Sequence, residues 1–359
     1  MDGRNARYCQ LNYYACAGFL FFASFELVIN YVDVGNNENS RVKLLLTGPS
    51  GFVGCGLRQS LLFRADFTLC CAYRILPVAE PLSLLDVAVG GIENITDWST
   101  LLTGVEVVLH TAAIAHIQGP VTKSLESDFD AVNTRATLAL ARQSAAAGVK
   151  RFIFLSTIKV LGDSTSSSAF NADTEPAPMD AYACSKWRAE QGLRIIAAET
   201  GMEVVIIRPV LVYGPGVKAN FLSMMRWLNK GVPLPFGAIY NKRSLVALDN
   251  LVDLIVTCID HPAAANQTFL VRDGEDLSTS ELLGKMAMAL GKPARLLPLP
   301  SWMLELSARL LGKQALAQRL CGSLQVDISK TRELLGWIPP VSVEEALRRT
   351  AVHFLAQQH

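Results

Sequence analysis

Between Lys43 and Gly54 the sequence reads KLLLTGPSGFVG. A short apolar run followed by three glycines, Gly48, Gly51 and Gly54, each three residues after the last, admits few folds. The run reads as a buried parallel strand. The glycines let the backbone turn tightly and come close to an anion. The helix expected over 53–63 then begins with N–H groups that have no partner inside the helix, at the positive end of its dipole. Strand, glycine turn and helix together predict a site for the phosphates of a dinucleotide, built from Gly48, Ser50, Gly51, Phe52, Val53 and Gly54.

Beyond residue 42, short β-rich apolar runs alternate with helix-like stretches, the pattern of βαβ units on a parallel sheet. Strands are expected at 43–47, 68–73, 105–110, 151–156 and 204–208. Helices are expected at 53–63, at 130–147 (closed by Gly148) and at 182–200 (closed by Gly201). After Pro209 the character changes. A Tyr-Gly-Pro-Gly turn at 213–216 is followed by a helix at 220–230 and a proline-containing loop at 231–239. Ser278 and Glu281 form a capping-box pattern opening a helix to 290. Another helix opens at 327–330 and ends at Gly336-Trp337. The expected class is α/β: a Rossmann-type doubly wound parallel sheet over 42–210, with a smaller C-terminal α/β substrate lobe over 211–359.

With 33 Lys+Arg against 32 Asp+Glu and no basic run, nothing points to nucleic acid. The eight cysteines form no C-x-x-C pair and no metal-like cluster with histidine, so reduced thiols and no metal are expected. Residues 1–41 stand apart. An apolar stretch at 14–32 is interrupted by Ser24, Glu26 and Asn30, and its unbroken core is short for a bilayer span. We read it as an appendage outside the fold, or a start assigned too far upstream, with weak membrane association and a signal peptide as the alternatives. The expected location is cytoplasmic, where a reduced dinucleotide cofactor belongs.

Tyr182 and Lys186 lie four residues apart, on one face of the expected helix. A phenol with an ordinary pKa of about 10 is a poor acid–base group at neutral pH. An ammonium one turn away favours the phenolate and is expected to lower that value. So tuned, the tyrosine can take a proton from a sugar alcohol or give one to a ketone, while the lysine holds ribose hydroxyls. A Tyr-x-x-x-Lys pair by itself equally describes a packed tyrosine and a surface lysine. Its place downstream of a glycine phosphate turn selects the catalytic reading. Ser156 or Thr157, at the end of the 151–156 strand, can hold the substrate hydroxyl in line with the phenol.

These segments resemble the extended short-chain dehydrogenases/reductases, above all their sugar-nucleotide 4-epimerases and 4-ketoreductases. The resemblance rests on TGPSGFVG (47–54), HTAA (110–113), NTRAT (133–137), FLSTIKVLG (154–162), YACSK (182–186), RPVLVYGPG (208–216) and LLGW (334–337). It implies a catalytic set of Thr157, Tyr182 and Lys186. It implies that Thr111, Ala112 and Ala113 line the cofactor with Pro209 nearby, and that Asn133 orders the active-site helix or a water. Ile158 and Lys159 stand where family dehydratases carry an acidic pair, so 4,6-dehydration is not expected. Asn220 and Phe221, and one of the adjacent Lys242 and Arg243, are implied as contacts to the nucleotide diphosphate. Relatives commonly pair as homodimers through two helices, here 130–147 and 182–200.

Arg74 ends the second strand where an acid would hold a ribose 2′-hydroxyl, so NADP(H) is expected over NAD(H). With Leu211 in place of an asparagine used by many epimerases, this favours a UDP-4-keto-hexosamine reductase of surface-polysaccharide (O-antigen) synthesis. A UDP-sugar 4-epimerase with tightly bound NAD is the alternative. A sterol- or flavonoid-type reductase and a non-catalytic dinucleotide sensor rank lower; a sensor would be expected to lose the Tyr182–Lys186 pair.

Overall fold

The computed structural model describes residues 41–78, 82–83, 85–115, 123–166, 168–310, 318 and 320–358. The appendage expected at 1–41 lies, apart from Arg41, outside them. Its strands are β1 (Val42–Thr47), β2 (Phe67–Tyr73), β3 (Val87–Ala88), β4 (Val107–His110), β5 (Arg151–Leu155), β6 (Glu203–Pro209), β7 (Leu211–Tyr213), β8 (Arg243–Ala247), β9 (Thr268–Val271) and β10 (Asp276–Leu277). Seven of them form one sheet in the order β3-β2-β1-β4-β5-β6-β9, with every neighbouring pair parallel. The order reverses at β1, so β1 and β4 flank the crevice where doubly wound sheets bind ligands, beyond the carboxyl ends of the strands.

The sheet is buried on both faces, which is why its strands read as continuous apolar runs rather than alternating ones. Leu44 and Leu46 of β1 pack with Leu57 and Leu251 from the helices Phe52–Leu61 and Leu248–Asp260. Leu45, one residue out of phase, packs on the other face with Leu140 and Leu193 from the helices Thr137–Ala146 and Ala181–Thr200. A separate core around Tyr213, Phe221, Leu283 and Phe354 holds the smaller lobe, whose three-stranded sheet runs β10-β8-β7. The chain does not stay in that lobe after residue 210. It returns through the Leu248–Asp260 helix to place β9 beside β6.

Several helix ends follow from local chemistry. Asp180 caps the Ala181–Thr200 helix by accepting from the Ala183 N–H, and Gly201 ends it in the left-handed region at φ 77°. The capping box at Ser278 and Glu281 forms as the sequence predicts. The expected 130–147 helix differs. Asp130–Ala136 is a π-helical turn that continues into an α-helix over Thr137–Ala146. The wider turn lets two successive residues address the same neighbour. Asn133 Nδ2 donates to Ser185 Oγ (3.0 Å) and Thr134 Oγ1 donates to the Ser185 carbonyl (2.9 Å). Among the described residues no helix is long and apolar enough to cross a membrane.

Candidate active site

The glycine turn sits at the switch point, and Gly48 and Gly54 are there for lack of room. Gly48 has φ +74°, and a Cβ on it would lie 2.7 Å from the Ala112 nitrogen. A Cβ on Gly54 would lie 2.0 Å from the Gly48 carbonyl oxygen and 2.9 Å from Thr111 Oγ1. Gly51 precedes the Phe52–Leu61 helix and brings no capping side chain to it. Ser50 and Gly51 are exposed, and Phe52 and Val53 half-buried. A helix N-terminus with no side chain over it, in a cradle that any Cβ would fill, fits the pyrophosphate of a dinucleotide.

Thr111 braces this turn from β4, donating from Oγ1 to the Thr47 carbonyl (2.7 Å). Behind it lies a buried polar chain. Thr47 Oγ1 lies 2.7 Å from His110 Nδ1, and Thr137 Oγ1 lies 2.9 Å from His110 Nε2. Burial, and then the charge of Lys186, push His110 down to about 3, so it is a neutral strut and not an acid or base at neutral pH. Ala112 and Ala113 continue the rim, half-buried and exposed. Pro209 closes β6 and is buried. Asn133 holds both backbone groups of Ile114, accepting from its N–H (2.9 Å) and donating to its carbonyl (3.0 Å). It thus ties the loop after β4 to the helix that carries Tyr182.

The three residues expected to act together do converge at the end of β5. Thr157 follows β5, its hydroxyl hydrogen-bonded to the Tyr182 phenol, and its Oγ1 also accepts from the Lys159 N–H at 3.3 Å. Lys186 is 2% exposed, with Nζ 4.2 Å from the Phe154 ring centre. The electrostatics correct one expectation. The phenol is not pulled down by the ammonium; burial pushes it up to about 12, against the Thr157 hydrogen bond and with the help of the Asp180 carboxylate. Burial likewise pulls Lys186 down to about 7, opposed by Glu190. Two desolvated groups on one helix face each disfavour their own charge, and burial is the largest cause of both shifts.

Glu190 is the site residue that sequence reading missed. Fully buried, it accepts from Ser156 Oγ at 2.5 Å and from Arg208 Nε and Nη2 at 3.0 and 2.6 Å. Its spacing was the available signal: it falls one further turn along the Tyr182–Lys186 face. Lys159, in the position that argued against dehydration, bridges to Asp180 and lies 3.5 Å from Asp163.

The expected diphosphate contacts do not converge as a set. Asn220 is exposed, whereas Phe221 is buried and stacks on Tyr213 with ring centres 5.4 Å apart, a packing role. Lys242 is exposed, while Arg243 is half-buried and donates to the Gly322 carbonyl (3.1 Å). Arg74 is exposed, the disposition of a solvated strand-end arginine. In a Gly54→Ala variant the added methyl must displace the Gly48 carbonyl from the turn. NAD titrated by fluorescence quenching should then bind at least about tenfold more weakly, ~1.4 kcal/mol. Unchanged affinity would remove the turn from the cofactor site.

Comparison with known proteins gives concordant results. The profile of the NAD dependent epimerase/dehydratase family matches residues 44–271. A UDP-glucose 4-epimerase of Vibrio cholerae is 49% identical over 314 residues, covering 87% of this chain and 95% of that protein. An Escherichia coli O157:H7 N-acetyl-alpha-D-glucosaminyl-diphospho-ditrans,octacis-undecaprenol 4-epimerase is 28% identical over 324 residues, covering 86% and 93%. Among solved structures, a Bacillus cereus UDP-glucuronic acid 4-epimerase in complex with NAD superposes with a TM-score of 0.72 at 22% identity, over 89% of this chain and all of that one, a likeness of fold. With the glycine cradle, the Thr157–Tyr182 pair and the buried Lys186 in their places, the chain belongs to the NAD-dependent epimerase/dehydratase family.

Proposed function

We propose that this protein is a UDP-sugar 4-epimerase that uses NAD. The observation that carries the reading is the Thr157–Tyr182 hydroxyl pair beside a desolvated Lys186 at the carboxyl end of β5. The 49% identity to a UDP-glucose 4-epimerase over most of both chains supports epimerisation over reduction. The NADP(H) preference expected from Arg74 finds no support: the matching family is described as NAD dependent, and Arg74 is exposed. The reductase reading that leaned on that preference gives way with it.

Held at the turn of Gly48, Gly51 and Gly54, a bound dinucleotide would supply the hydride acceptor and donor for the sugar C4. The chain's own groups manage the proton and the geometry. Thr157 holds the C4 hydroxyl in line with Tyr182, which takes the proton and later gives it back. Lys186, drawn down to about 7, gains or loses a proton near neutral pH and so can relay charge to the phenol one turn away. Ile158 and Lys159 offer no carboxyl group to remove water from the sugar. For product to form with inverted C4, the oxidised sugar must present its other face before hydride returns to C4 and the proton to its oxygen.

The test is to incubate purified enzyme with UDP-glucose and, separately, with UDP-N-acetylglucosamine, and to follow the sugar by proton NMR. The expected result is the same mixture of C4 epimers from either direction, with no net change in nicotinamide absorbance. Stoichiometric NADPH consumption with a UDP-4-keto-hexosamine, and no epimerisation, would replace this reading by the reductase.

A further inference from the structure

The Ser301–Leu310 helix wears its apolar stripe on the outside. At 3.6 residues per turn, Trp302, Met303, Leu306 and Leu310 fall within an arc of roughly 100°. All four are exposed, Trp302 at 62% and Leu310 at 80%. The inward positions Ser301 and Leu304 are the half-buried ones. A helix lying on a soluble lobe normally turns this stripe to the core.

The exposed stripe continues onto neighbouring chain. Parallel bridges join Leu234 to Leu296 and Ala238 to Pro300, and Arg295 Nη1 lies 3.4 Å from the Gly231 carbonyl. These contacts lay the segment after Trp227, which carries exposed Val232, beside the strand-like run that carries exposed Leu297 and leads into the helix. Charge there is one-sided. Residues 226–239 and 291–310 hold Arg226, Lys230, Lys292, Arg295 and Arg309 against the single acid Glu305, in a chain whose net charge is +1. All five cations are exposed. Two exposed tryptophans and exposed aliphatic side chains in segments rich in exposed cations are the composition that settles into an anionic lipid interface.

We propose that this face of the substrate lobe docks on the surface of an anionic phospholipid bilayer. A second copy of the chain is a poorer occupant, because a two-fold contact would set the same cations against each other. The ten described residues Ser301–Leu310 are enough to lie in the interface. The proposal is independent of which sugar is turned over.

The test uses the full chain in vesicle flotation, with phosphatidylcholine alone or with about 30% phosphatidylglycerol. Wild type should float with the anionic vesicles at least about tenfold more than with neutral ones, and salt near ~1 M should weaken this. Trp302→Ser/Leu306→Ser should lose that binding while turning over soluble UDP-sugar at the wild-type rate. Arg226→Gln/Arg295→Gln should lower it without touching the apolar stripe. Three results would overturn the proposal: no flotation, binding unchanged in the serine variant (which would assign it to another segment), or a dimer in sedimentation that the same substitutions dissolve.

Discussion

Replacing Tyr182 by phenylalanine should reduce kcat for C4 inversion by about 10²–10⁴-fold, the range that a positioned acid–base group supplies. The ring stays, so its packing on Phe129, with centroids 6.0 Å apart, is kept and folding should be unaffected. The hydroxyl goes, and with it both the proton acceptor and the partner of Thr157. Affinity for NAD, set mainly at the glycine turn, should stay within about threefold, under ~0.7 kcal/mol. The pH profile separates this from a structural defect. With the phenol held up by burial, wild-type kcat should rise with pH as the deprotonated fraction grows, and the variant's residual rate should not follow it. Single-turnover kinetics at several pH values decide the matter. A variant with more than a tenth of wild-type kcat would remove Tyr182 from the proton transfer.

The second large effect is expected away from the reacting atoms. Glu190→Ala should destabilise the fold by about 3–5 kcal/mol, the cost of leaving a buried guanidinium without its carboxylate. Arg208 and Glu190 are 2% and 0% exposed in their side chains, so water cannot take over the missing partner. Ser156 loses its acceptor too, and with it the anchor of the residue just before Thr157. Urea unfolding measures the loss. Glu190→Gln, which keeps the shape and some acceptors, should fall between wild type and alanine. Because Glu190 opposes the downward shift of Lys186, either variant should also move Lys186 further down. A loss below about 1 kcal/mol for the alanine variant would mean that the buried cation finds another partner.

Much of the cofactor half was legible because its signals are local. The glycine turn, the apolar runs of β1, β2, β4, β5 and β6 and the Asp180-capped helix are each written within a dozen residues. The Thr157–Tyr182–Lys186 convergence was legible as well, since a fixed spacing on a helix and a strand end place all three. What escaped depends on distant chain. β9 has only Thr268–Val271 to announce it, and only pairing with β6 makes it a strand. The π turn around Asn133 is fastened to Ser185, more than fifty residues away. The sign of the Tyr182 shift was missed because a spacing shows a neighbour's charge but not how dry both groups are. Phe221 was read as a contact and proved to be packing, because its stacking partner Tyr213 could be seen only in the fold.

The return of the chain from the small lobe to lay down β9 bears on how such an enzyme can change substrate. The small lobe is not a detachable cassette. Exchanging everything after residue 210 for a foreign sequence would also replace an edge strand of the cofactor sheet and the Leu248–Asp260 helix beneath it. New specificity is therefore confined to substitutions and loop insertions between fixed crossings, with the nucleotide platform held constant by the same covalent thread.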